Sequence, residues 1–347
     1  FKKNKYFNSN MFFRGKNYMK YEMIDCIDAG SEFCPCHLAE EGECILCSQL
    51  NGRCFCDCRN WKGVCIYQEF KNNGNKAKEG RKTFDCEIVE LNFLEDELVC
   101  LKVKANHKLC LDLSVPGSFI FIKTKDNPYF DIPISIMESN CDENTLMMMV
   151  EIRGIKTKRL LNLSLGEHIG IRGPYFNGVF GIKTINSIFD KNILVLVRGI
   201  GEAPALPVIK KLLLQNNKIS LVLDKSPFKN SYIKNYLDTN RIDIEEANII
   251  DKGNLSEEVK KIINLAIDNH ISLIHCAGAD ILTYNVINYL DDLNREDINI
   301  SCCNNSKMCC GEGVCGSCTA RFAGHKVKML CKVQTDPRNI FKERRFI

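Results

Sequence analysis

Near the C-terminal end, Cys310-Gly311-Glu312-Gly313-Val314-Cys315-Gly316-Ser317-Cys318 is followed by Cys331, a spacing of C-x4-C-x2-C-x12-C. A glycine-rich loop lets three thiolates converge on a pair of irons while a later cysteine supplies the fourth, the plant-type [2Fe-2S] spacing. Gly311, Gly313 and Gly316 let the backbone wrap closely and aim N–H groups at cluster sulfurs. Four thiolates also suit tetrahedral zinc, so metal binding is the coarser expectation and [2Fe-2S] the finer one. Cys302, Cys303 and Cys309 are expected to be free thiols.

A second concentration lies at the other end. Nine cysteines fall between Cys26 and Cys65, with few aliphatic residues around them. Such a segment cannot close an apolar core unaided and needs a metal or cross-links. Cys34, Cys36, Cys44, Cys47, Cys56, Cys58 and Cys65 are the candidate ligands, and His37 can replace a thiol. An additional Fe-S cluster and Zn both remain open. Trp61 is expected to cover this module.

Between these ends, Val197-Arg198-Gly199-Ile200-Gly201-Glu202-Ala203-Pro204 joins an apolar run to a helical one. Gly199 and Gly201 suit backbone approach to a pyrophosphate at a helix N-terminus, with Ala203 and Pro204 in the first turn. Asp224 closes the next strand, where a carboxylate can accept ribose hydroxyls and favour NAD over NADP. Cys276-Ala277-Gly278 closes a third strand at the same sheet edge. A nicotinamide delivers two electrons as hydride, whereas an iron–sulfur centre accepts one at a time, so a chain carrying both motifs should hold a flavin between them.

These residues need elements to position them. From Phe84 to about Ile185, short apolar runs separated by Gly, Pro and Asn predict an antiparallel barrel or sandwich, with strands near 87–91, 97–103, 118–122, 132–136, 147–152 and 167–171. After Ile185, strands at 192–197, 219–224 and 272–276 alternate with helices at 203–215, 256–269 and 281–293, which predicts a doubly wound parallel sheet. The fold class expected is thus multidomain, β plus α/β. Its parts are an extended tail (1–24), a Cys-rich module (25–68), a linker (69–83), a flavin-binding β-barrel (84–187), an NAD-binding α/β domain (188–298) and a [2Fe-2S] segment (299–347).

Composition bounds the function. A net charge of +4 from 47 basic and 43 acidic residues gives no reason to expect a nucleic-acid partner. The longest clean apolar runs fall far short of a membrane span, and the first twenty residues show no apolar signal-peptide core. A cytoplasmic location is the expectation, and in a reducing compartment clustered cysteines are more often ligands than disulfides.

From Phe84 onward, the order barrel, G-I-G-x-A-P turn and cysteine loop resembles the electron-transfer subunit of dihydroorotate dehydrogenase and its sulfide-dehydrogenase-like relatives within the ferredoxin–NADP reductase superfamily. The resemblance implies FAD on the barrel. Pro133-Ile134-Ser135 would meet the flavin ring, with Ser135 hydrogen-bonding and Ile134 packing, and Gly154, Lys156 and Thr157 would cradle its pyrophosphate. Gly173 and Pro174 would shape the adjoining loop, and NAD(P) would lie over Gly199, Gly201 and the Cys276 to Gly278 edge. Relatives carry an arginine where Asp131 and Ile132 stand here, and Lys156 is the residue that can restore that charge. The same resemblance implies an NAD(P)H-dependent oxidoreductase acting with a partner oxidoreductase subunit in a hetero-oligomer, or with a ferredoxin. The alternative is a zinc-stabilised binding or regulatory protein on a degenerate reductase scaffold.

Overall fold

A computed structural model describes residues 24–56, 61–125, 130–322 and 326–341. Almost all of the expected tail, and Cys58, lie outside the described residues.

Two large sheets organise the chain. The first has seven strands, all antiparallel, in the order Ile132–Ser135, Phe119–Lys123, His168–Tyr175, Thr83–Glu95, Leu98–Lys104, Thr145–Glu151 and Glu138–Asn140. It curls until Ile132–Ser135 touches Thr145–Glu151, around a core that includes Ile88, Leu101, Ile120, Ile122, Leu146 and Met148. Side chains alternate across a strand, so Ile120 and Ile122 enter that core while Phe119 and Phe121 face the other way. There they form an aromatic cluster with Tyr175, with ring centroids 5.1 and 5.0 Å from it. The strand is apolar on both faces because both are covered.

The second sheet has six strands ordered Ile242–Glu246, Lys218–Asp224, Asn192–Arg198, Ile271–Ala277, Asn299–Cys303 and Val179–Phe180. All pairings are parallel except the last. Strands buried on both faces read as continuous apolar runs. Accordingly Ile193, Val195 and Val197 pack with the helix Glu202–Leu214 on one side, while Leu194 and Leu196 pack with the helices Glu257–Asp268 and Asp280–Asp292 on the other. The Ser256 side chain caps its helix by accepting from the Val259 amide, 3.2 Å. Strand order reverses on either side of Asn192–Arg198, so the crevice beyond the carboxyl ends is where such sheets take ligands.

Smaller elements join the ends of the chain. Asp25–Cys26 pairs antiparallel with Val333–Gln334, and a hairpin links Thr319–Phe322 to Lys326–Met329. The helix Ile66–Asn72 runs past the boundary expected at 68. The strand Asn299–Cys303, expected within the terminal segment, belongs to the parallel sheet. Trp61 is exposed rather than covering the Cys-rich module; the small core there is Ala39, Leu50 and Phe70. Among the described residues no helix is long and apolar enough to cross a membrane.

Candidate functional site

The two sheets face each other across a cavity of about 540 Å3, within the size range of cofactor pockets. Pro133, Ile134, Ser135 and Thr157 line it from the antiparallel sheet; Gly199, Gly201, Ala203, Pro204 and Gly278 line it from the parallel sheet. Residues picked from separate motifs between Pro133 and Gly278 thus share one wall-to-wall space. Gly154 and Lys156 sit in the turn between two of its lining residues, Arg153 and Thr157. The Thr157 hydroxyl accepts from the amides of Arg153, 3.0 Å, and Gly154, 3.1 Å, which fixes that turn.

Gly173, Pro174, Asp224 and Cys276 are not among the lining residues. Cys276 is sealed in the core, and burial pushes its thiol far up. Asp224, expected to meet a ribose, is buried and already engaged: it pairs with Arg198 at 2.9 Å and accepts from the amides of Ser226 and Ile249, both at 3.0 Å. Pro174 instead offers its carbonyl to Arg81, 2.7 Å.

The two glycines of the dinucleotide turn serve the protein's own backbone. A Cβ on Gly201 would lie 2.2 Å from the Ala277 carbonyl oxygen, so only glycine lets the helix start this close to the neighbouring strand. Gly199 has a positive φ of 56°, and a Cβ there would meet the Ser226 oxygen at 2.9 Å. Close helix-to-strand packing is itself one of the glycine roles in such turns.

Sequence reasoning missed several lining residues, among them Arg153, Arg198, Asp280, Cys303 and Asn305. Arg153 had a signal, a cation immediately before the Gly154 turn. Cys303 had none; it reaches the cavity because its strand ends beside Gly278. Asn305 holds that rim by donating to the Gly278 carbonyl, 2.7 Å, and the Asp280 carboxylate, 3.0 Å.

Asp131, the residue standing in an arginine's place, is paired with Arg172 through Nη2 at 2.7 Å and Nε at 3.2 Å. The same guanidinium donates to the Cys310 carbonyl, 3.0 Å. Lys156 donates to the Asp131 carbonyl, 3.1 Å. One chain of polar contacts therefore runs from the cavity rim to the cysteine loop.

That loop rests on the aromatic cluster. A Cβ on Gly311 would lie 2.4 Å from the Tyr175 ring, and one on Gly313 would press on Leu38 at 3.1 Å; both glycines have positive φ. The Cys331 thiol faces Cys310 and Cys318. Cys310 is drawn down to about 4 by the Cys331 S–H, against burial, with added donation from the amides of Cys315, Glu312 and Val314. Cys318 falls to about 7 through the same S–H and the Cys331 amide, 3.3 Å from its sulfur, while Cys331 is pushed up. The three sulfurs titrate as one unit, the shared proton favouring charge on Cys310 and Cys318 over Cys331. Cys315, the fourth expected ligand, is exposed and contacts Cys309.

Behind the loop lies a buried charge quartet with no local sequence signature. Arg81 donates to Asp28, 2.6 Å, and Glu312, 2.8 Å; Lys332 donates to the same carboxylates at 2.5 and 2.9 Å. Arg81 also stacks on Phe33, 4.1 Å, and Tyr175, 4.6 Å. Two cations and two anions balance, so none is left unpaired away from water. The quartet fastens together the N-terminal module, the expected linker, the antiparallel sheet and both ends of the cysteine segment.

In the N-terminal module, Cys34, Cys36 and Cys44 border one small cavity together with Cys26, which had not been singled out. Cys47 donates its amide to the Cys44 sulfur, 3.4 Å. Cys56 is exposed, and Cys65 is the residue before the helix Ile66–Asn72; neither borders the cavity. Among the described residues no three or more His, Cys, Asp or Glu side chains are already arranged to hold a metal ion.

No family model matches the chain. It is 26% identical over 233 residues to the probable dihydroorotate dehydrogenase B (NAD(+)) electron transfer subunit of Archaeoglobus fulgidus, covering 67% of this chain and 88% of that one. With the corresponding subunit of Fusobacterium nucleatum the identity is 25% over 249 residues, 69% of this chain and 90% of the relative. Among solved structures, a chain of an NADH-dependent reduced ferredoxin–NADP oxidoreductase superposes with a TM-score of 0.58 at 18% identity, covering 74% of this chain and 91% of that one. In sequence the chain is therefore a relative of the electron-transfer subunits of dihydroorotate dehydrogenase B, as the order of its motifs had implied, and its fold is like that of the NADH-dependent oxidoreductase chain.

Proposed function

We propose that the chain is an iron–sulfur flavoprotein subunit passing electrons between NAD(P)H, FAD and a [2Fe-2S] centre, and onward to or from a partner oxidoreductase subunit. One observation carries this reading: a single cavity is lined on one side by the Pro133 to Ser135 strand and on the other by the Gly199 to Pro204 turn. A bound flavin there supplies the exchange between hydride and single electrons.

The chain's own residues then have definable tasks. Ile134 and Pro133 offer apolar contact to a ring system, and Ser135 a hydroxyl. Arg153, paired with Glu151 at 2.6 Å, and Arg198, paired with Asp224, keep further N–H groups with which to meet pyrophosphate oxygens. The N-terminus of the helix Glu202–Leu214 adds the positive end of its dipole. With Asp224 engaged by Arg198, the carboxylate is not free to set a preference between NAD and NADP.

Cys310, Cys315, Cys318 and Cys331 would hold the [2Fe-2S] centre. The fit rests on the Glu312 amide donating to the Cys310 sulfur, 3.3 Å, the Cys331 amide donating to the Cys318 sulfur, 3.3 Å, and glycines where side chains would collide. Cys309, Val314 and Cys315 are exposed, so the loop presents its edge where a partner subunit or a ferredoxin can dock. The N-terminal cysteines are read as a further metal-binding module. The domain divisions expected from sequence, 84–187 for FAD, 188–298 for NAD and 299–347 for the cluster, are retained in this proposal, with Asn299–Cys303 lent to the parallel sheet.

Anaerobic purification of the full chain tests the reading. The expected result is a brown-yellow protein with one FAD and about two irons and two sulfides per [2Fe-2S] chain, bleached by NADH or NADPH. A colourless protein holding only zinc would overturn it in favour of a binding or regulatory role.

A further inference from the structure

We infer that Cys26, Cys34, Cys36 and Cys44 form a closed four-thiolate site for one thiophilic divalent ion of the zinc class, docked on the back of the C-terminal cysteine loop. The inference rests on reading the N-terminal cysteines as metal ligands, and is independent of the flavin and of the C-terminal centre.

Four observations converge. The four cysteines border one small cavity whose remaining lining is apolar, including Phe33, Pro35, Leu38 and Ile66, except for Asp28, which is held by Arg81 and Lys332. Its volume is about 20 Å3, close to the room one water-sized occupant needs. That suits a single ion. The amide of Cys47 donates to the Cys44 sulfur within a C-x2-C turn, a contact that favours thiolate and orients it. The module also has a core of only Ala39, Leu50 and Phe70, too little apolar burial to hold the segment folded without a staple.

The four sulfurs border the cavity without meeting at one point. Binding would draw them in by side-chain rotation between staggered positions. Each thiol gives up its proton as the metal–sulfur bond forms, so binding releases protons and tightens as pH rises. Structural zinc takes four ligands and keeps no open position, which matches a site shut off by Phe33 and Leu38. Placement adds a consequence. Cys26 lies on the strand that pairs with Val333–Gln334, two residues from Asp28 of the buried quartet, so the site ties the module to a strand already held by backbone pairing.

Metal analysis of the full chain tests this. The expected result is one zinc per chain beyond any iron, and X-ray absorption at the zinc edge showing four sulfur neighbours at about 2.3 Å. Cys26→Ser and Cys34→Ser should each lower zinc to well under half an equivalent with iron and sulfide unchanged, whereas Cys56→Ser and Cys65→Ser should keep it. Should the variants fail to fold, the absorption measurement on the unaltered protein still decides. Fewer than four sulfurs, an absence of zinc, zinc lost equally from Cys56→Ser, or loss of iron and sulfide in place of zinc from Cys34→Ser would each overturn the inference. Loss of flavin or of the C-terminal centre's spectrum with zinc retained would instead count against the wider functional reading alone.

Discussion

Single side chains carry unusual weight where charge is buried. Lys332 is wholly buried beside Asp28 and Glu312. Removing its charge with Lys332→Met leaves two buried carboxylates facing one guanidinium. Breaking a buried ion pair from one side costs roughly 3–5 kcal/mol, so the melting temperature should fall by many degrees; an unchanged melting curve would refute the quartet's contribution. His275 is a second case. It is fully buried, donates or accepts at 2.8 Å with Ser301, and burial holds it down at about 3. The unfolded chain takes up this proton near pH 6.5 and the folded chain does not. Stability from this group is therefore complete above about 6.5 and is lost as pH falls toward 3, by roughly 1 kcal/mol per pH unit. Denaturant unfolding between pH 7 and pH 4 should show that slope, and His275→Gln should flatten it.

At the scale of elements, the βα turn after Asn192–Arg198 depends on contact between backbones. Gly201→Ala would drive a Cβ to 2.2 Å from the Ala277 oxygen, while Gly154→Ala meets nothing within 4 Å. Both glycines were assigned to phosphate cradles, yet only the first should be intolerant. Gly201→Ala is expected to destabilise the fold by roughly 2–3 kcal/mol or more and to abolish dinucleotide binding, whereas Gly154→Ala should change the midpoint of denaturation little. Calorimetry and nicotinamide titration of the two variants provide the check. Equal behaviour would mean that the turn relaxes more than its packing suggests.

Across the whole molecule, Arg81 is the joint between regions distant in sequence. Its guanidinium reaches Asp28, Pro174 and Glu312 and lies between two aromatic rings. Arg81→Met keeps the apolar stem but removes every one of these donations. Amide exchange should then speed up in residues 24–56 and around Cys310 to Cys318, while the strand Asn192–Arg198 keeps its protection, because local opening follows the contacts that are lost. Uniform acceleration over the chain would place the defect in global stability.

Most of the architecture was legible in the chain itself. Short buried apolar runs such as Ser118 to Ile122 and Asn192 to Val197 mark strands, and Gly and Pro mark their ends. Cys310, Cys315, Cys318 and Cys331 were marked together by their spacing, but only the fold sets Cys331 against Cys310 and Cys318 while Cys315 stays exposed. Only the tertiary structure decided which distant groups meet. Asp28, Arg81, Glu312 and Lys332 show no pattern because a buried pair is chosen by mutual approach and desolvation, not by spacing. Asp224 looked available to a ribose until Arg198 and two amides were found to occupy it. Cys26 joined Cys34, Cys36 and Cys44 through strand pairing with a segment some three hundred residues away, and Cys303 reached the cavity by sheet register. Local patterns fix which element forms; packing fixes what each side chain finally faces.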